Sequence, residues 1–120
     1  MWFTIDFHSH VPVYEQIKNK IKEKIVKKEV NENEFIPSIR TLAKEIGVNL
    51  NTVARSYREL EQEGIIQSVR GSGYIVIGID KDKIFDEKIE EFRKIVISAK
   101  NLKIEKRDLL KVIDEIYGGE

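Results

Sequence analysis

The sequence predicts a mostly α-helical α+β fold, in which a compact unit over residues 1–78 is followed by a short two-helix tail over residues 79–120. Between Ile36 and Ile77 the pattern indicates a short helix, a glycine turn, a second helix and a β-hairpin. Beyond residue 80, apolar residues recur at helical spacing. A chain of 120 residues with 41% hydrophobic content suits a small core with an appendage rather than a large enzyme.

The composition also narrows the cellular setting. The chain has no cysteine, which excludes a disulfide framework and any cysteine-based metal site. No apolar run approaches the roughly 18 residues that a membrane span needs. The residues from Met1 to Asp6 lack the basic region and apolar core of a signal peptide. We therefore expect a cytoplasmic protein without membrane contact.

The charge balance does not favour a nucleic-acid partner. The chain carries 21 basic and 21 acidic residues, and residues 1–78 alone carry 11 and 10. Proteins that bind nucleic acids usually show a clear basic excess, so any basic face here must be local. The densest cluster consists of Lys18, Lys20, Lys22, Lys24, Lys27 and Lys28. A solvated helix face is the favoured interpretation of this cluster, and contact with phosphates is the alternative.

The first helix is predicted from about Pro12 to Lys28. Proline is tolerated in a first helical turn, and Ile17, Ile21 and Ile25 follow at helical spacing. Residues 2–10, which precede the helix, alternate as a short extended arm would. A polar loop at residues 31–33 follows the helix.

Two short helices with a tight turn come next. Ser38, after Pro37, can accept a hydrogen bond from an unpaired backbone N–H and begin a helix. Gly47 supplies the left-handed residue that ends this helix, and Asn49 can cap the next one, which should run from about Leu50 to Glu63. Helices this short are marginal alone and should pack against each other and the first helix.

A two-stranded hairpin should complete this unit. Strand-forming residues begin at Ile65, Gly71-Ser72-Gly73 forms the turn, and the chain returns from Tyr74 to Ile77. Because an isolated hairpin is unstable, it should pack on the three helices. The predicted arrangement is a helix-turn-helix followed by a wing, which is typical of DNA-reading proteins.

The tail carries two wide apolar stripes. Asp80 or Asp82 can cap its first helix, residues 101–103 are a plausible break, and Gly118-Gly119 ends the second helix. Two helices cannot bury such stripes against each other alone. They pack either on residues 1–78 or, as we favour, on a second copy, because symmetric dimers are the commonest oligomers. The predicted dimerisation residues are Phe85, Ile89, Phe92, Val96, Leu109, Ile113 and Ile116.

These residues resemble the GntR family of bacterial transcription regulators. The likeness covers residues 11–78 in register, with matching motifs at Pro12 to Ile17, Pro37 to Ala43, Gly47 to Val53, Leu60 to Gly64 and Arg70 to Gly73. Residues 48–57 and the short tail resemble the YtrA subfamily. This resemblance implies a winged helix-turn-helix repressor without a large effector domain, paired through its tail and often acting near transporter genes.

The resemblance also implies DNA-binding residues. Arg40 matches an arginine of the second helix that typically reaches DNA. Asn49, Asn51 and Thr52 match the polar start of the recognition helix. Leu50 and Ala54 stand where many branches have arginine, so contacts made by those arginines do not transfer. The full predicted set is Ser38, Arg40, Asn49, Asn51, Thr52, Arg55, Arg70, Gly71 and Ser72.

Physical chemistry supports these residue types. Arginine grips guanine and asparagine grips adenine through paired hydrogen bonds, whereas hydroxyl groups and helix N-termini suit phosphates. A wing glycine lets the backbone approach the minor groove. For Arg55 the alternative is an ion pair with Glu59, and Arg58 is interpreted as a surface residue.

The favoured function is that of a DNA-binding homodimer that needs no cofactor. No nucleophile–base motif, phosphate loop or paired carboxylates indicate an enzyme. His8, His10 and Asp6 share one face of an extended arm but lack a further ligand of convincing spacing for a metal. The neutral charge motivates a winged-helix protein-interaction module as the main alternative. A small-molecule effector bound at the dimer seam is a further alternative.

Overall fold

The computed structural model describes residues 2–118 and divides after Ile79 into two compact units. The first unit contains three helices and three short strands. They are α1 (Val13–Val26), β1 (Phe35–Ile36), α2 (Ile39–Ile46), α3 (Leu50–Gln62), β2 (Ile66–Val69) and β3 (Gly73–Val76). The mostly helical α+β fold with a winged helix-turn-helix is therefore confirmed.

The helix boundaries follow local hydrogen bonds that the sequence indicated. The Ser38 hydroxyl accepts the Thr41 N–H at 3.1 Å, and Asn49 Oδ1 accepts the Asn51 N–H at 2.7 Å. Gly47 ends α2 in the left-handed conformation, with φ of 67°. The first helix is shorter than predicted and ends at Val26, because Lys28 has a positive φ of 60°.

The sheet differs from the predicted two-stranded hairpin. It has three antiparallel strands in the order β1-β3-β2, so β3 lies in the centre. The prediction missed β1 because two residues beside Pro37 carry no alternating pattern. Backbone hydrogen bonds extend this edge, from the Val76 N–H to the Glu34 oxygen at 3.0 Å and from the Asn33 N–H to the Val76 oxygen at 2.8 Å.

The N-terminal segment is also different from the expected extended arm. Phe3 is buried in the core, and the chain then turns at residues 7–10. Asp6 drives this turn, because its carboxylate accepts the His8 N–H at 3.0 Å. Gln16 fastens the segment to α1, since its side chain accepts from the Asp6 N–H at 3.0 Å and donates to the Val11 oxygen at 2.9 Å.

The core of the first unit lies between the three helices and one face of the sheet. Its fully buried members come from every helix and from the two longer strands, namely Ile17, Ile21, Leu42, Val53, Tyr57, Leu60, Ile66 and Val76. Burial of these side chains supplies the main driving force for folding the unit. It also fixes which faces of α2 and α3 remain exposed.

The second unit is a pair of helices, α4 (Lys81–Asn101) and α5 (Lys106–Tyr117). The carboxylate of Asp80 caps α4 by accepting the N–H groups of Asp82 and Lys83, both at 3.1 Å. The break falls at residues 102–105, slightly later than predicted, and Gly118 ends α5 with φ of 87°. The predicted partner in that ending, Gly119, lies outside the described residues. Within residues 2–118 no helix is long and apolar enough to cross a bilayer.

Candidate nucleic-acid interface

A buried tyrosine sets the start of α2 relative to α3. Tyr57 of α3 is fully buried, and its hydroxyl donates to the Pro37 carbonyl at 2.6 Å. Burial raises the pKa of Tyr57, so the hydroxyl remains a neutral donor. Pro37 immediately precedes the Ser38 cap, and Arg40 lies one residue inside the helix. The core thereby positions two of the predicted DNA-binding residues.

The first helix packs closely along α3. The buried Ser56 hydroxyl lies 2.9 Å from the Tyr14 carbonyl and 3.1 Å from that of Thr52. Farther along, Lys18 contacts Glu59 at 3.0 Å and Glu63 at 2.7 Å, and Lys22 contacts Glu63 at 2.8 Å. These contacts join α3 to α1 along much of their length.

The interpretation of the lysine cluster as a solvated face is wrong for three of its members. The side chains of Lys18, Lys22 and Lys24 are only 16%, 20% and 19% exposed. Lys18 and Lys22 turn toward the end of α3, and Lys24 Nζ lies 5.6 Å from the centre of the Trp2 ring. Lys20, Lys27 and Lys28 are exposed, as predicted. Part of the basic run therefore joins α1 to Glu59 of α3 and to Glu63, which follows that helix.

The two glutamate carboxyls of these ion pairs have pKa values below their ordinary value. Burial opposes ionisation of Glu63, but hydrogen bonds from Lys18 and Lys22 outweigh it and lower the pKa of that carboxyl. Hydrogen bonds from Arg55 and Lys18 lower the pKa of Glu59 in the same way. Both carboxyls are therefore ionised near neutral pH, and the ionised carboxylates join α1 to α3.

The exposed face of α3 carries a row of polar side chains. Asn51, Arg55 and Arg58 follow one another at spacings of four and three residues, and all are exposed. They lie opposite the buried Val53 and Tyr57. The sequence analysis interprets Arg58 only as a surface residue. Its spacing from Asn51 and Arg55 is the signal that places it on the same face as these two residues.

Arg55 adopts the ion pair that was its alternative role. Its Nε lies 2.9 Å from Glu59 Oε2, and the guanidinium stacks 3.5 Å from the centre of the Tyr14 ring. Half of the side chain nevertheless remains exposed. Contact between Arg55 and DNA stays a prediction. In the structure, Glu59 and the Tyr14 ring together orient the Arg55 side chain.

The starts of α2 and α3 present the other predicted residues. Ser38, Arg40, Asn49 and Asn51 are exposed, and Thr52 is half-buried. The Ser38 hydroxyl also donates to Thr41 Oγ1 at 2.9 Å, so it is committed to the cap. In Asn49 the cap uses Oδ1, whereas Nδ2 is a separate donor group.

The wing tip holds Arg70, Gly71 and Ser72, which are all exposed. Val69 pairs with Gly73, and the Ser72 N–H donates to the Val69 oxygen at 2.9 Å, which closes a tight turn. Gly71 has a φ of 79°, a conformation that suits glycine. The turn therefore presents its backbone on the surface.

A carboxylate connects the wing to α3. Glu61 accepts the Ser68 N–H at 3.0 Å and the Ser68 hydroxyl at 2.9 Å. Both bonds lower the pKa of the Glu61 carboxyl, and the bond from the Ser68 backbone N–H has the larger effect. No hydrogen bond within residues 2–118 joins the start of α2, the start of α3 and the wing tip directly. Their connection runs through Tyr57, Glu61 and the core.

The two histidines lie in the exposed turn before α1. Across residues 2–118, no group of three or more histidine, aspartate or glutamate side chains is arranged to hold a metal ion. Asp6, the third candidate ligand beside the two histidines, accepts a hydrogen bond from the His8 N–H.

The tail presents the predicted apolar stripes at its surface. Phe85, Phe92 and Ile116 are 63%, 49% and 76% exposed in the single chain, and Ile89 is 40% exposed. Val96, Leu109 and Ile113 are half-buried. A groove of about 380 Å³ along α4 is lined by Ile89, Phe92, Arg93, Val96 and Ile97.

The fold and the placement of these side chains define a winged-helix transcription regulator. Residues 13–76 match the profile described as "Bacterial regulatory proteins, gntR family". The chain belongs to this family, which is one of DNA-binding regulators rather than enzymes, so the predicted resemblance is confirmed.

The similarity to individual relatives extends into the two-helix tail as well. The chain is 36% identical over 116 residues to the HTH-type transcriptional repressor YtrA of Bacillus subtilis strain 168, covering 93% of this chain and 89% of that protein. It resembles the structure of a transcriptional antiterminator from Listeria monocytogenes EGD-e, with a TM-score of 0.77 and 36% identity over 96% of this chain and 89% of the other.

A third similar structure is the DNA-binding domain of AraR in complex with operator ORX1. It has a TM-score of 0.57 and 26% identity, over 62% of this chain and 94% of that one.

Proposed function

We propose that this protein is a homodimeric repressor that binds an inverted-repeat DNA operator. The observation that carries the proposal is the row of exposed polar side chains on α3, flanked by the exposed start of α2 and the wing tip. A similar domain, that of AraR, has been solved on an operator, and the relative YtrA is named a repressor.

In this proposal α3 enters the major groove. Asn51 reads adenine and Arg40 reads guanine, because each can form two hydrogen bonds to its base. Asn49 and Thr52 contact phosphates near the helix starts, where backbone N–H groups favour anions. Ser38 does so when its hydroxyl donates to a phosphate oxygen instead of Thr41 Oγ1, while it still accepts the Thr41 N–H of the cap.

The remaining cationic contacts lie on either side of these residues. Arg55 lies farther along α3, and Arg58 extends the same exposed face. At the wing, Gly71 and Ser72 bring backbone close to the minor groove, and Arg70 places its guanidinium there.

We further propose that residues 1–78 read DNA while residues 79–120 pair two protomers. The exposed stripes on α4 and α5 support this division, since they need cover in solution. Two-fold symmetry then places two half-sites on one face of the duplex, about one helical turn apart. Repression follows from occlusion of a promoter in the cytoplasm, with transporter genes as the targets that the family likeness suggests.

Replacing Arg40 by alanine tests the reading of DNA. On a duplex that the wild-type protein enriches from a random pool, affinity should fall by about 1–3 kcal/mol, with relaxed preference at one base pair. Fluorescence anisotropy over a series of salt concentrations measures both affinity and its salt dependence. Lys27→Ala is the control, because it removes an exposed cation at the far end of α1 and should bind normally.

Two results would count against the proposal. Unchanged affinity of a folded Arg40→Ala variant would remove Arg40 from the interface. Wild-type binding that does not weaken with salt would contradict phosphate contacts and favour the protein-interaction module. Selection repeated with cell metabolites tests whether a small-molecule effector is needed.

A further inference from the structure

The first turn of α3 has an apolar side chain at its surface. Leu50 is the first residue of the helix and is 43% exposed, whereas the core residues Val53 and Tyr57 that follow are fully buried. Ala54 lies one turn farther on the same side of the helix and is half-buried. Leu50 and Ala54 thus form a small apolar surface directly beside Asn51.

In the proposed mode of binding, this surface belongs to the part of α3 that comes nearest to base edges. The N-terminal residues of a recognition helix contact bases in the major groove. An alkyl side chain there forms no hydrogen bond, and thymine presents an apolar methyl group in that groove. Contact between the two would remove apolar area from water on both partners.

We propose that Leu50, with Ala54 behind it, recognises the 5-methyl group of a thymine in each half-site. The inference rests on the proposed DNA-binding function and adds a specificity-determining residue to it. Because the neighbouring Asn51 suits adenine, the thymine should lie at or next to an A·T pair that Asn51 reads. Leu50 then sharpens base preference without adding charge, which fits a unit with almost balanced charge.

Replacing thymine by deoxyuridine removes only the methyl group and so tests the contact directly. Each thymine of the enriched duplex is replaced in turn, symmetrically in both half-sites. At one position wild-type affinity should fall about fourfold per half-site, which is the effect of one methyl group leaving an apolar contact. The Leu50→Ala variant should bind the thymine and deoxyuridine duplexes equally at that position.

Val26→Ala is the matched control, because Val26 is an aliphatic residue at the end of α1 that is 40% exposed, close to the 43% of Leu50. It should keep the wild-type sensitivity to the missing methyl group. The inference is overturned if no thymine position shows the loss, or if Leu50→Ala retains it. In both cases wild-type binding to the thymine duplex shows that the proposed function itself stands. Failure of the wild-type protein to enrich any duplex would overturn both.

Discussion

Replacing Phe92 by aspartate is expected to convert the protein into a monomer and to weaken operator binding by at least about 100-fold. Phe92 lies in the middle of the α4 stripe and lines its groove. In a dimer that buries this stripe, an unpaired carboxylate would cost several kcal/mol. A monomer engages one half-site, so it loses the gain from joining two binding events.

Sedimentation equilibrium and anisotropy on the same samples measure assembly and operator affinity together. Ser98→Asp is the control, because it adds the same carboxylate to an exposed position on the opposite side of α4. It should remain dimeric and bind DNA normally. A dimer that survives Phe92→Asp with unchanged stability would place the subunit interface away from this stripe.

The second large effect is expected in the core of the first unit. Tyr57→Ala should lower the free energy of unfolding by about 3–5 kcal/mol, the range for removing a large buried aromatic side chain. Tyr57 is fully buried and packs edge-on against Tyr74 with ring centroids 5.1 Å apart. Its loss would leave a cavity between α3 and the sheet and release the start of α2.

Denaturant unfolding followed by circular dichroism measures this change, and Tyr57→Phe separates its two causes. The phenylalanine variant keeps the ring but loses the 2.6 Å hydrogen bond to Pro37, so it should be destabilised by about 1 kcal/mol. A Tyr57→Ala protein as stable as the wild type would contradict the buried position on which the interface geometry depends.

Features set by nearby residues were predictable from the sequence. Ser38, Asn49 and Asp80 cap helices through bonds to N–H groups two or three residues away. Gly47 ends α2 because glycine tolerates the left-handed backbone there. Such signals depend on residue type and short spacing alone, so the helices, the turn between them and the wing could be located in advance.

Features that join distant segments were not predictable in the same way. The bond between Tyr57 and Pro37 spans 20 residues, and that between Ser56 and Tyr14 spans 42. The sequence predicts a solvated face for Lys18 and Lys22 because the glutamates that they contact, Glu59 and Glu63, lie 41 residues later in the chain. Strand β1 was not predicted because its two residues form a strand only by pairing with β3, which lies much later in the chain.

The residues of the candidate interface also fall into a predictable group and a group that only the packed structure shows. The family motifs singled out Arg40, Asn51 and the wing tip, and the structure leaves all of them exposed. The support of Arg55 by Glu59 and Tyr14, and the alignment of Arg58 with it, became clear only from the packed helices.

Selection of bound duplexes from a random pool at moderate salt, together with the stoichiometry of the selected complex, shows whether the protein reads an operator as a dimer. We expect an inverted repeat with half-site centres about one helical turn apart, bound by two protomers. Enrichment of a single unpaired half-site by one protomer, or of no sequence at all, would contradict a dimeric operator-binding repressor.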